Sequence, residues 1–242
     1  YIMGPEVDEL EEKLADYVNV KHCITCSSGT DALLIPLMAM GIGPGDAVIT
    51  TPFTYIATAE VIALVGATPI FCDIYDRTFN INPEQLQKAF DLAISKNLKP
   101  KAIIPVDLFG LPARFRLIEK FAKKNKSLPK VVIPVHLAGQ PCDMIAIYKL
   151  SKQYGFKIIE DASHAIGADY DSSKVGSCKF SDITVFSFHP IKIFTTGEGG
   201  VAVTNSKKIY EKLLILRNHG ITKDPKKFKF LKKNPVYYEQ QV

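Results

Sequence analysis

The sequence has 242 residues, of which 47% are hydrophobic and 23% are charged, the balance of an ordinary globular protein. Its formal net charge is +5, but the basic residues form no stripe along a predicted helix, which argues against a nucleic-acid partner. The longest apolar run, residues 32–40, is interrupted by Pro36 and is too short to span a bilayer, so we expect no membrane association.

The apolar spacing predicts strands that alternate with helices along the chain. Each strand is a nearly unbroken apolar run, which indicates an α/β fold with a mostly parallel sheet covered by helices on both faces. In chain order we predict a helix at 5–18, a strand at 22–26, a helix from residue 30 or 31, a strand at 47–50, a helix at 55–65, a strand at 68–73, a helix at 83–94, a strand at 102–106, a helix at 114–124, a strand at 131–135, a helix at 144–154, strands at 156–160, 183–188 and 201–204, and a helix at 207–217.

One strand-and-helix unit occurs twice. KAIIPVDLFGLP begins at Lys101, and KVVIPVHLAGQP begins 29 residues later at Lys130. Two copies are too few for a solenoid, so a local duplication or a join between related sequences explains the pattern better. The sequence leaves open whether the sheet gains a strand or expels one copy.

Five cysteines are scattered through the chain, and an odd, scattered set predicts a reducing, cytosolic compartment rather than a disulfide framework. Cys23 and Cys26 form a C-x-x-C pair. No second pair completes a zinc site, and the alternation of a strand sends the two side chains to opposite faces. We therefore predict no metal site.

The C-terminal part of the chain is rich in positive charge. Residues 223–233, KDPKKFKFLKK, carry much of the excess. Such a run is most often a solvated loop, and a site for an anionic ligand such as a nucleotide diphosphate is the alternative. The chain starts at Tyr1 and stops at Val242 within a segment that has no terminating signal, so we expect a fragment of a longer protein.

Four polar clusters follow predicted strands: SSGTD, TPFTY, EDASHA and SFHPIK. In parallel sheets, ligands bind outside the carboxyl ends of the strands. The four clusters therefore predict one binding site at that edge.

Lys192 lies in the last of these clusters, within a glycine-rich stretch that has few charged residues. A lysine that loses water has a lowered pKa and can act as a nucleophile. A surface lysine beside turn glycines is an equally acceptable interpretation of this segment alone.

Two other clusters have a structural and a chemical interpretation. Asp161 ends a strand, where acids are common solvated caps, but a buried carboxylate there could keep a pyridinium nitrogen protonated. His164 follows one short turn later. The SSGT segment opens a helix, whose free amide groups suit a phosphate, although simple helix capping requires the same residues.

The segments SSGTDAL, TPFTYIAT, EDASHA, SFHPIKIFTTGEGG and RNHG together resemble the DegT/StrS family of sugar aminotransferases. The resemblance runs from about Gly4 to Val242, apart from the repeated unit. It implies the large domain of a fold-type-I enzyme, over residues 1–242, with pyridoxal 5'-phosphate as cofactor. PVHLAGQPCDM, EDASHAIGADY and LRNHGITKD are most similar to the branch that acts in pseudaminic acid synthesis. That branch implies a UDP-linked 4-keto-6-deoxy-N-acetyl hexose as substrate and glutamate as amino donor.

The resemblance also assigns roles to single residues. Lys192 matches the lysine that binds the cofactor, Asp161 matches the partner of its ring nitrogen, and His164 matches a position at the ring face or phenolic oxygen. Lysine at position 192 argues against the dehydratase branch, which has histidine there. The remaining matches are Gly29, Thr30 and Ser187 at the phosphate, Tyr55 stacked on the ring, and His189, Glu198 and His219 near the substrate.

The family implies a homodimer with sites at the subunit interface. Compared with the family pattern, we expect this sequence to be a fragment without the small C-terminal domain and without the segment after Tyr238 that supplies an asparagine to the neighbouring subunit. Alternatives are another branch of the family, which makes a 3-amino or a different 4-amino sugar, and a truncated, non-catalytic cofactor-binding module. A Rossmann-type oxidoreductase is disfavoured because no G-x-G-x-x-G follows the first strand.

Overall fold

A computed structural model describes residues 3–108, 111–126 and 129–222, together with residues 224, 226, 228, 239 and 240. The predicted α/β architecture is confirmed. Most of the basic run at 223–233 lies outside the described residues. Within the described part of the chain, no helix has the length and apolar character needed to cross a membrane.

The helices and strands alternate as predicted. The helices are α1 (Pro5–Val18), α2 (Gly29–Ala39), α3 (Ala57–Leu64), α4 (Leu86–Ser95), α5 (Phe115–Lys124), α6 (Met144–Tyr154) and α7 (Lys207–Arg217), with short 3-10 turns at Pro83–Gln85 and Leu137–Gly139. The strands are β1 (His22–Cys26), β2 (Asp46–Thr50), β3 (Thr68–Phe71), β4 (Lys99–Ile104), β5 (Val131–Val132), β6 (Lys157–Asp161), β7 (Asp169–Tyr170), β8 (Ser173–Lys174), β9 (Ile183–Ser187), β10 (Gly200–Thr204), β11 (Ile221–Thr222) and β12 (Glu239–Gln240).

The main sheet has eight strands in the order β1-β10-β9-β6-β5-β4-β2-β3 among the described residues. The neighbours from β9 to β3 pair in parallel, and β10 runs antiparallel to both β1 and β9. The carboxyl ends of β2, β4, β6 and β9 therefore meet at one edge. The antiparallel strand pairs β7–β8 and β11–β12, which the sequence pattern did not predict, form two separate small sheets.

Both copies of the repeated unit fold, and each contributes a strand to the sheet. Each copy forms a strand and a helix, β4 with α5 and β5 with α6. Ala102 pairs with Val131 and Ile103 with Val132, so residues at equivalent positions of the two copies lie side by side. The sequence left open whether both copies belong to the sheet. The pairing of β4 with β5 shows that both do and that neither copy is expelled.

Side chains from the two faces of the sheet form separate apolar layers. Alternate strand residues such as Val48 and Ile104 pack with α2, α3 and α7, whereas Ile49 and Ile103 pack with α4, α5 and α6. A third cluster joins α1 to β1 and β10. Burial of one such aliphatic side chain contributes about 1.5–3 kcal/mol, so these layers hold the strand ends in fixed positions.

The two cysteines of the C-x-x-C pair point to opposite faces, as predicted. Cys23 is buried in the cluster beneath α1, and Cys26 packs against the layer that contains α2. Both thiols are free, and burial raises the pKa of Cys26 to about 12. A protonated thiol is a poor nucleophile, so these residues serve packing.

Candidate active site

A cavity of about 620 Å³ opens at the carboxyl edge of the parallel strands. Turns that follow β1, β2, β6 and β9 line it, which confirms that the four polar clusters converge. A cavity of this size is typical of sites for small molecules and cofactors. The sequence-predicted site residues in its lining are Gly29, Thr30, Tyr55, Asp161, His164, Ser187, His189, Lys192 and Glu198.

The amino-terminal end of α2 forms one wall of the cavity. Ser28 caps the helix, because its hydroxyl accepts a hydrogen bond from the Asp31 amide at 3.0 Å. The first amides of a helix lack partners within the helix and carry a partial positive charge, so this end suits a phosphate. Ser187, at the end of β9, lies directly beside Gly29.

Position 29 requires glycine, because the contact with Ser187 leaves no space for a side chain. A Cβ atom there would lie 2.5 Å from Ser187 Cβ and 2.6 Å from its Oγ. We therefore expect Gly29→Ala to push α2 away from β9 and to lower the free energy of unfolding by about 1–3 kcal/mol. Urea unfolding followed by circular dichroism measures this change.

The matched control for Gly29→Ala is Gly43→Ala. A Cβ atom at Gly43 would meet its nearest neighbour, the Val65 carbonyl oxygen, at 3.7 Å, which is ordinary contact. This variant should unfold at nearly the same urea concentration as the parent chain. Equal destabilisation by the two substitutions would contradict the close approach of α2 to β9.

Asp161 is held rigidly at the end of β6. The Ser163 amide and hydroxyl both donate to Asp161 Oδ1, at 3.1 and 2.7 Å. Its own backbone accepts a hydrogen bond from the His136 amide and donates one to the Pro134 carbonyl. The carboxylate therefore faces the cavity from a fixed position.

Lys192 and His164 are in direct contact. Lys192 Nζ lies 2.7 Å from His164 Nε2 and 5.9 Å from the centre of the Tyr55 ring. Burial lowers the pKa of Lys192, and the negative charge of Asp161 opposes that shift. Burial lowers the pKa of His164, and a protonated Lys192 would lower it further. The cavity thus holds an amine with increased nucleophilic character.

The residues assigned to the substrate are only partly brought together. His189 Nε2 lies 3.7 Å from Glu198 Oε1 at the rim, a loose contact between partly exposed side chains. His219 is exposed after α7, and its carbonyl accepts a hydrogen bond from Gln240 Nε2. It does not line the cavity, so the structure does not bring His219 together with His189 and Glu198.

A buried polar pair beneath the site was missed by the sequence analysis. His136 Nε2 donates to Glu160 Oε2 at 2.9 Å, because the Cys142 amide donates to His136 Nδ1 and leaves the ring proton on Nε2. Burial raises the pKa of Glu160, but hydrogen bonds from His136, Ser181 and Thr184 outweigh it, so the pKa is lowered overall. The repeat gave a usable signal, because His136 replaces Asp107 of the first copy.

Loss of either partner should destabilise the fold. Glu160→Ala leaves His136 buried without its acceptor, and we expect a loss of about 3 kcal/mol. His136→Ala should cost a similar amount. Because the two side chains form one pair, the double variant should cost clearly less than the sum of both, as urea unfolding would show. Additive losses would contradict the pairing.

The α/β fold with its mainly parallel sheet is that of the fold-type-I pyridoxal-phosphate aminotransferases. The chain belongs to the DegT/DnrJ/EryC1/StrS aminotransferase family, whose sequence profile matches residues 1–129 and 125–237. The two matched stretches meet between α5 and β5, where one copy of the repeat follows the other.

Similar proteins include several sugar aminotransferases. The chain is 40% identical, over 91% of its length, to the UDP-2-acetamido-2-deoxy-3-oxo-D-glucuronate aminotransferase of Pseudomonas aeruginosa and covers 51% of that protein. A DegT DnrJ EryC1 StrS aminotransferase from Brucella abortus is 41% identical, with a TM-score of 0.64 over 91% of this chain and 51% of the other. A Helicobacter pylori aminotransferase involved in pseudaminic acid biosynthesis is 29% identical, with a TM-score of 0.64 over 99% of this chain and 53% of the other. The chain therefore spans about half the length of the relatives that it matches.

Proposed function

We propose that this chain is the cofactor-binding part of an enzyme that transfers an amino group to a nucleotide-linked keto-sugar. The observation that supports it most strongly is the meeting of Lys192, Asp161 and the α2 amino terminus in one cavity. Family membership assigns pyridoxal phosphate as the cofactor. The donor set fits this cofactor, because it offers an amine, a carboxylate and a phosphate-binding helix end on three different walls.

Each side chain has a distinct task. Pyridoxal phosphate, when bound, supplies the carbonyl group and the electron-withdrawing ring that amino transfer requires. Lys192 Nζ would hold the cofactor, and its free amine would act as the general base that removes the proton from the Cα atom of the amino donor. Asp161 keeps a proton on the ring nitrogen, which stabilises negative charge that develops at the reacting carbon.

The other lining residues bind and orient. The amides of Gly29 and Thr30 and the hydroxyl of Ser187 bind the phosphate, and Tyr55 packs against the ring. His164 contacts the ring or its phenolic oxygen. His189 and Glu198 lie at the rim, where the sugar enters. For His219 we propose no position within this cavity.

A more specific proposal for substrate and donor follows from the sequence motifs that resemble the pseudaminic acid branch of the family. The substrate is a UDP-linked 4-keto-6-deoxy-N-acetyl hexose, the donor is glutamate, and the enzyme is a cytosolic homodimer. A second candidate is amino transfer to a 3-keto sugar, which is favoured by the 40% identity to an aminotransferase whose name specifies a 3-oxo sugar.

A two-stage assay tests these proposals. The purified chain with pyridoxal phosphate and glutamate should release 2-oxoglutarate, which establishes the donor half of the reaction. UDP-sugars with the carbonyl at C4 and at C3 are then offered in parallel, and the aminated product is identified by mass spectrometry. Preference for the C3 ketone would replace the finer proposal by the second candidate. Cofactor binding without 2-oxoglutarate release would favour the non-catalytic alternative instead.

A further inference from the structure

The His164 ring bridges a backbone turn and the amine of Lys192. The turn is Leu137–Gly139, which follows β5 in the second copy of the repeat. Its Ala138 amide donates a hydrogen bond to His164 Nδ1 at 3.3 Å, and His164 Nε2 lies 2.7 Å from Lys192 Nζ. Three groups from distant parts of the sequence are thereby connected in a line.

The first of these contacts determines the protonation of the ring. A ring nitrogen that accepts a hydrogen bond carries no proton, so the proton of the neutral imidazole is on Nε2. The Nε2–H group then faces Lys192 Nζ and must donate to it. An ammonium group cannot accept a hydrogen bond, so this arrangement requires Lys192 as the free amine.

Burial and the charge of Asp161 act in opposite directions on the Lys192 amine. Burial lowers the pKa of both Lys192 and His164. The other titratable groups in the cavity lining are Asp161 at the end of β6, Tyr55 before α3, His136 directly before the turn, and His189 with Glu198 after β9. Of these, Asp161 opposes the shift of both groups, and its carboxylate is already hydrogen-bonded by Ser163.

The turn has a backbone conformation that few residues adopt. Ala138 has a φ of 57° and Gly139 a φ of 85°, both in the left-handed region. A Cβ atom on Gly139 would lie 3.0 Å from the His164 carbonyl oxygen. The turn is therefore fitted closely against the segment that carries His164, which is what a positioning element requires.

We propose that the turn Leu137–Gly139 is a positioning element for Lys192: its Ala138 amide fixes His164 as the Nε2–H tautomer, which donates to Lys192 Nζ and keeps that amine unprotonated. The assignments of the His164 tautomer and of the free Lys192 amine depend only on the hydrogen-bond geometry of Ala138, His164 and Lys192. The use of this amine to hold a cofactor rests on the proposed function.

The tautomer can be observed directly without cofactor. Nitrogen-15 NMR of the histidine-labelled chain distinguishes protonated from unprotonated ring nitrogens, and the signals lost in His164→Gln identify His164. At neutral pH we expect an unprotonated Nδ1 and a protonated Nε2. A proton on Nδ1, alone or together with one on Nε2, would overturn the proposal.

A matched pair of glycine variants tests the role of the turn. Gly139→Ala should displace the turn from His164. Gly155→Ala carries a similar left-handed strain, with a φ of 73°, but a Cβ atom there has nothing within 4 Å. The readout is the pH profile of Lys192 acylation in the cofactor-free chain, measured by competitive labelling and mass spectrometry.

Gly139→Ala should move the Lys192 profile to higher pH, and Gly155→Ala should leave it in place. A rise of one pKa unit means about tenfold less free amine at neutral pH. Identical profiles in both variants and the parent would contradict the role of the turn, whether or not the chain transfers amino groups. If the His164 tautomer and the pH profile of Lys192 acylation are as expected but the chain binds no cofactor, only the proposed function is refuted.

Discussion

Lys192→Ala should abolish amino transfer, with a loss of at least about 10³-fold, because the variant removes both the covalent anchor and the base that moves the proton. The measured quantity is release of 2-oxoglutarate from glutamate in the presence of saturating cofactor. The cavity should otherwise remain, because the backbone of this loop is held by hydrogen bonds such as that from the Lys192 amide to the His189 carbonyl. Cofactor should therefore still bind, but it should wash out on dialysis.

Lys208→Ala is the matched control, since Lys208 is exposed on α7 and does not line the cavity. It should retain the activity of the parent chain. Substantial 2-oxoglutarate release by Lys192→Ala, with normal release by the control, would mean that another lysine holds the cofactor.

Asp161→Asn should reduce amino transfer by about 10²–10⁴-fold while leaving the cofactor attached. Asparagine keeps an oxygen that can accept from Ser163, so the end of β6 should stay in place. It removes the negative charge that would hold a proton on the ring nitrogen. Comparison of 2-oxoglutarate release with the amount of cofactor that survives dialysis separates the two effects.

The control for this variant is Asp169→Asn. Asp169 is exposed and pairs with Lys174 far from the cavity lining. It should behave like the parent chain. An Asp161→Asn variant that transfers amino groups at the parental rate would contradict the proposed contact with the ring nitrogen.

Helices with complete capping signals could be predicted to the residue. α6 begins after Asp143, whose side chain accepts from the Ala146 amide, and it ends at Gly155 in the left-handed conformation. α3, in contrast, was predicted to start at residue 55 but starts at Ala57, because Ile56 provides no side-chain cap. A cap alone did not determine every boundary, because α2 is capped by Ser28 and was predicted to start at residue 30 or 31 but starts at Gly29.

Strand lengths depended on pairing that the sequence could not show. The prediction of a strand at 131–135 was too long, because ladder pairing is restricted to Val131–Val132. Pro134 has no amide proton to donate, and Val135 makes only an isolated bridge with Asp161. That interruption lets the chain turn at Leu137–Gly139 and reach His164.

The sequence predicted which segments form the candidate site, but it did not predict the side-chain contacts between them. Strand order alone brings the four clusters to one edge, so periodicity and chain order sufficed. The 2.7 Å contact between Lys192 and His164 and the buried pair of His136 with Glu160 join residues more than twenty positions apart. Such contacts depend on register and side-chain conformation, which no local pattern encodes.

The most direct test of the account locates the cofactor on the chain. Borohydride makes a bond between lysine and pyridoxal phosphate permanent, and mass spectrometry of proteolytic peptides then identifies the modified residue. We expect the modification on Lys192, within the peptide that contains His189 and Glu198. Modification of a different lysine at saturating cofactor, or spread evenly over exposed lysines, would contradict the assignment of this cavity as the cofactor site.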